Sequence, residues 1–166
     1  MVGLAALLGV IVSRPLGRAI HASRGLAWAL VVSTGITLAA TLTPVHASLD
    51  PGAGGLYACD FARVGLPPLD ELTRINDTSL NVLLFVPLGI TLGLLPRSTR
   101  KLALILLAVA LPFAIEITQA VAVPLNRTCQ SADVFDNLTG LALGLLLGSV
   151  AGAGAGSLAA RAGTSG

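Results

Sequence analysis

Three carboxylates, Glu116, Asp133 and Asp136, lie in one short stretch with the guanidinium of Arg127 and the amides of Gln119 and Asn137. Apolar runs surround them on both sides. An ionisable group inside or at the edge of hydrocarbon costs a few kcal/mol unless it is paired or reaches water, so such a cluster marks a site. Two chemistries suit it. In a binding site, Arg127 is a planar donor for phosphate or carboxylate, Asn81, Gln119 and Asn137 are neutral hydrogen-bond partners, and the carboxylates orient Arg127 or take amines and hydroxyls. In a catalytic site, Glu116, desolvated and held by Gln119, serves as general acid or base, and Asp133 and Asp136 are the weak candidates for holding a divalent cation. No nucleophile is paired with a base, and neither His21 nor His46 sits in a motif. Transport or flipping is a third reading. The structural alternative is a buried network from Glu116 through Arg127 to Asp136 that only fixes helix register.

The elements that must position these groups are helices in a membrane. The chain has 166 residues, of which 54% are hydrophobic and 11% charged, and its mean hydropathy is +0.87. Soluble domains carry about 25% charged residues. One compact domain fits this length, and a net charge of +2 gives no reason to expect a nucleic-acid partner. The expected partner is the lipid bilayer, and no cofactor is implied.

Residues 2–12 are apolar but reach only about 17 Å as a helix, short of the roughly 30 Å hydrocarbon core. A basic stretch, 13–24, follows, and residues 26–43 form the first run long enough to span. Basic residues, an apolar run and then Val45-His46-Ala47 also resemble a secretory signal with its cleavage site. The apolar N-terminus and a run of about 17 residues are unlike such a signal. Residues 44–79 form a solvated loop punctuated by Pro51-Gly52, Gly54-Gly55 and Pro67-Pro68, with a short interfacial helix expected around 69–75. Further apolar segments cover 80–95, 102–123 and about 133–152. The Gly/Ala/Ser tail, 153–166, has the composition of a flexible segment. The expected fold is therefore an all-α, polytopic transmembrane bundle of four or five spans. Its parts are an N-terminal segment (1–25), a span (26–43), an extracytoplasmic loop (44–79), a three-helix core (80–152) and a cytoplasmic tail (153–166).

Charge sets the expected orientation. With alternating spans, Arg14, Arg18, Arg24, Arg97, Arg100, Lys101 and Arg161 share one side, and all eight acids fall on the other side or in helix ends facing it. The positive-inside rule then places the C-terminus in the cytoplasm and the polar cluster at the outer face of a bacterial plasma membrane. Cys59 and Cys129 both fall in the oxidising compartment, which predicts a disulfide pinning the loop over the cluster. The alternative is two independent buried thiols.

Within the helices, Glu116 and Gln119 are three apart and share a face. Pro112 lies one turn below Glu116, where it can kink the helix. Asp133, Asn137, Gly140, Gly144 and Gly148 form one stripe, and Asn81, Phe85, Gly89 and Gly93 another. Both are polar at the outer end and small below, as packed membrane helices require.

The run Asn81 to Gly89 with its Phe85-Val86-Pro87-Leu88-Gly89, the pair Glu116 and Gln119, Arg127, and Asp133-Val134-Phe135-Asp136-Asn137-Leu138-Thr139-Gly140 resemble the signature of the VanZ-like family of small bacterial membrane proteins. The resemblance covers roughly residues 77–148. It implies an association with resistance to teicoplanin and related glycopeptides and with cell-envelope processes. A lipid-linked cell-wall precursor or a glycopeptide would then be the partner. Two features depart from the family pattern. Ser131-Ala132 stands where an aromatic or aliphatic residue often precedes the first Asp, and the two cysteines are outside the motif.

Overall fold

A computed structural model describes residues 2–44, 59–122, 125 and 127–163. Five helices make up most of it: α1 (Val2–Ile20), α2 (Arg24–Leu42), α3 (Asp77–Leu94), α4 (Thr99–Val121) and α5 (Ser131–Gly163). Segments of four of them, Arg24–Leu42, Asp77–Leu94, Thr99–Val121 and Ser131–Ala155, are long and apolar enough to cross a membrane. The residues resembling a cleavage site, 45–47, lie outside the described residues.

Local chemistry sets the helix ends. Ser23 accepts from Leu26 N at 3.3 Å to start α2, and Ser98 accepts from Lys101 N at 3.1 Å to start α4. A reciprocal capping box between Asn76 and Ser79 starts α3. Each satisfies backbone donors that the first helical turn leaves unpaired. At the other end of α3, Lys101 Nζ donates to Gly93 O at 2.8 Å and Leu95 O at 2.9 Å, a cation placed on terminal carbonyls.

Two helices extend past their apolar runs. α1 continues through Arg14, Pro15 and Arg18 before the chain turns at His21, whose φ is 54°. α5 continues to Gly163, where composition predicted a flexible tail from residue 153. The interfacial helix expected around 69–75 is a short 3-10 turn, Glu71–Thr73.

The helices alternate in direction, so the acids gather at one end of the bundle, with Arg63, Arg74 and Arg127 among them. α1 runs antiparallel along α2: a Cβ on Gly9 would meet Trp28 at 2.9 Å, and one on Gly35 would overlap Ala5. α3 and α5 run parallel with backbones touching. A Cβ on Gly140 would overlap Val82 O, one on Gly144 would overlap Val86 O, and one on Gly148 would overlap Ile90 O. Gly89 and Gly93 meet the Leu141 and Leu145 carbonyls from the other side. The glycine stripes are thus the seam between α3 and α5. Phe85, Leu88, Leu92, Ile115 and Leu141 fill the core beside it.

The outer face of α4 carries Leu102, Leu106, Val109, Phe113, Ile117 and Val121, all exposed. An apolar stripe along a whole helix is unsuited to water and suited to lipid. The molecule is a membrane protein.

At the acidic end, Cys59 and Cys129 are disulfide-bonded with their Cα atoms 4.6 Å apart. Two-residue strands, β1 (Cys59–Asp60) and β2 (Cys129–Gln130), pair in parallel across that bond. The predicted cystine is therefore present, and it pins the loop segment after Cys59 to the turn before α5.

Candidate functional site

The turn between α4 and α5 is held by the two helices it connects and by α2. Glu116, buried near the end of α4, accepts from Gln130 N at 2.7 Å. One turn on, Gln119 Nε2 donates to Thr41 O at 3.0 Å. Arg127 Nε donates to Thr43 O at 3.2 Å and Nη2 to Ala40 O at 2.8 Å. The guanidinium therefore caps carbonyls at the C-terminal end of α2, which lack intrahelical donors.

This arrangement differs from the network that the structural alternative described. Arg127 does not bridge Glu116 to Asp136. Asp136, fully buried, pairs with Arg63, whose Nη2 lies 2.5 Å from Asp136 Oδ2. Ser131 Oγ donates to Arg63 O at 2.7 Å, holding the same strap to the start of α5. Arg63 is the residue that sequence reasoning missed. Its signal was its place four residues after Cys59: a disulfide to Cys129 carries that basic residue to the acidic cluster.

Between α2, α3, α4 and α5 lies a cavity of about 930 Å³, within the size range of small-ligand sites. Asn81, Glu116, Gln119, Arg127, Asp133 and Asn137 all line it, with Asp77, Thr41, Thr128 and Gln130. The sequence-predicted residues are thus brought together on one wall system, with Asp136 excepted. It sits behind the wall, against Arg63. Ile36, Ala40, Leu80, Leu83, Leu84 and Pro87 supply the apolar remainder. Several of these residues, Leu80, Leu83 and Ile36 among them, are also exposed on the outside of the bundle. The cavity therefore opens sideways, toward lipid, along α2 and α3.

The charges are unevenly matched. Glu116 has Asp133 and Arg127 as its charged neighbours, and Asp133 has Asp77, Asp136 and Arg63 around it with Asn81 alongside. Gln119 Oε1 and Asn137 Oδ1, both buried and belonging to residues that line the cavity, have no hydrogen-bond partner in the protein. Buried polar atoms are nearly always paired, so these two oxygens are unsatisfied positions just behind the cavity wall. Among the described residues, no three His, Cys, Asp or Glu side chains converge as a metal set. Asp136, one of the two weak metal candidates, already has Arg63 as its partner.

No curated protein and no solved structure matches the chain. The VanZ/LLP1 family model matches residues 31–152, from the middle of α2 to the apolar part of α5. The matched region contains every residue that lines the cavity. It also reaches further toward the N-terminus than the motifs alone, taking in the α2 wall that Arg127 and Gln119 hold in place. On that match, covering most of its length, the chain belongs to the VanZ/LLP1 family.

Proposed function

We propose that this protein binds or shields a cell-envelope amphiphile, a lipid-linked wall precursor or a glycopeptide, and so contributes to teicoplanin-type resistance. The single observation that carries the reading is the cavity itself. Its polar wall gathers Asp77, Glu116, Asp133, Arg127 and amide side chains, and its apolar wall is continuous with the lipid-facing surface. An amphiphile fits both: the head group meets the polar wall while the tail stays in the bilayer. The basic residues in short loops support an orientation with the acidic end, and with it the cavity, at the outer face of a bacterial plasma membrane and the C-terminus in the cytoplasm. Family membership supports the resistance context.

The test is teicoplanin susceptibility of a host expressing the wild type, Glu116→Gln or Asn137→Leu, with membrane abundance of each measured in the same cells. Protection by the wild type, lost by either variant at equal abundance, is the expected result. Full protection by both variants would overturn the reading.

A further inference from the structure

We infer that the cavity selects an amphiphile whose head group carries a protonated amine and discriminates against one that carries phosphate. The inference rests on the amphiphile-binding reading above and names its ligand class. It follows from an inventory of what the wall offers. Asp77, Glu116 and Asp133 contribute carboxylates, and Arg127 is the one cation lining the cavity among the described residues. Its Nε and Nη2 donate to the Thr43 and Ala40 carbonyls, which turns part of the fork toward α2, and its single positive charge is outnumbered by the three carboxylates. Arg63 faces Asp136, outside the cavity lining.

The amides do not alter this balance. Gln119 commits its Nε2 to Thr41 O, and its Oε1 is buried. The Asn137 Oδ1 is likewise buried, and neither amide carries charge. An occupant therefore meets a wall on which negative charge predominates. A primary ammonium has three donors and no acceptor, and its bonds to carboxylates are charge-assisted. A phosphate brings acceptors to acceptors and like charge to like charge, which interfaces penalise strongly. A neutral sugar head can donate its hydroxyls to the carboxylates but brings no charge to match theirs.

The experiment titrates the full-length protein in dodecyl maltoside micelles with dodecylamine, dodecyl phosphate or dodecyl glucoside, each followed separately by native mass spectrometry. Tail length is held constant, so the ranking reports the head group. We expect saturable binding of dodecylamine, about tenfold tighter than dodecyl phosphate, as one charge-assisted bond implies. The near-isosteric Glu116→Gln/Asp133→Asn variant should lose that preference, whereas Leu106→Ala, on the lipid-facing side of α4, should keep it. Dodecyl phosphate or dodecyl glucoside binding as tightly as the amine would overturn the head-group inference and leave the amphiphile reading standing. Absence of saturable binding by all three would overturn both. The ranking on the wild type needs no variant, so it decides even if the double variant fails to fold.

Discussion

Deleting the Arg63 guanidinium tests whether the strap after Cys59 is bonded into the protein or merely tethered by the disulfide. At 2.5 Å, a pair of unit charges attracts by about 7 kcal/mol at an effective dielectric of roughly 20. Desolvation opposes this. Asp136 is 1% exposed and Arg63 27% exposed, so the carboxylate bears most of that penalty, which is several kcal/mol for a buried ion. The net value of the pair is therefore small, while the cost of breaking it is large. Arg63→Met strands a buried carboxylate and should destabilise by about 3 kcal/mol. Asp136→Leu leaves an arginine that can turn toward water, and should cost about 1 kcal/mol. The double variant should be more stable than Arg63→Met alone, giving a coupling of about 2 kcal/mol. The assay is reversible denaturant unfolding in mixed micelles, followed by far-ultraviolet circular dichroism under non-reducing conditions. Strictly additive single effects would refute the reasoning, because they would mean that the two side chains do not interact.

Three further outcomes are expected. Gly144→Leu drives a side chain into the Val86 carbonyl and to within 2.9 Å of Gly89 Cα. Backbone cannot yield there, so loss of α3–α5 association or a cost of at least about 3 kcal/mol should appear in the same unfolding assay. Gly152→Ala, with its nearest neighbour Leu94 Cδ2 at 3.9 Å, should lie within about 0.5 kcal/mol of wild type. Reduction of Cys59–Cys129 opens a loop with a sequence separation of 70 residues. Chain entropy assigns that closure up to about 4 kcal/mol, and the helices already held in the membrane lower the figure. Reductant should accelerate proteolysis within residues 60–76, and an unchanged cleavage rate would mean that the cystine does not hold the strap.

The spans were legible because hydrocarbon demands long apolar runs, and little else in a sequence produces them. Helicity and apolarity part company at the ends. α1 passes through Arg14 and Arg18 because charged residues with unbranched side chains are good helix formers even where a membrane would not accept them. The shared face of Glu116 and Gln119 was readable from a spacing of three, and the glycine seam from spacings of three and four. Arg127 and Arg63 were different. Their partners are the carbonyls ending α2 and a carboxylate 73 residues away, and no local period encodes either. Only the predicted cystine carried information of that range. It implied where Arg63 would land, although the local motif drew attention to Arg127 instead.

The same geometry decides which substitutions can speak about binding. α5 is the post of the bundle: α3 lies against it through glycine and α4 packs on its other side, leaving a gap between α3 and α4 at the acidic end. α2 and the Arg127 turn close that gap. The turn meets α2 through Arg127 on Ala40 and Thr43, and α4 meets it through Gln119 on Thr41. Arg127 and Gln119 therefore build the wall as well as line the cavity, and their loss alters its shape along with its chemistry. Asp133 and Asn137 stand on α5, whose position the glycine seam fixes independently. Changing their functional groups changes what the wall presents while leaving the wall in place. A phenotype at Asp133 or Asn137 with normal abundance is thus an argument about the ligand, whereas the same phenotype at Arg127 is first an argument about α2.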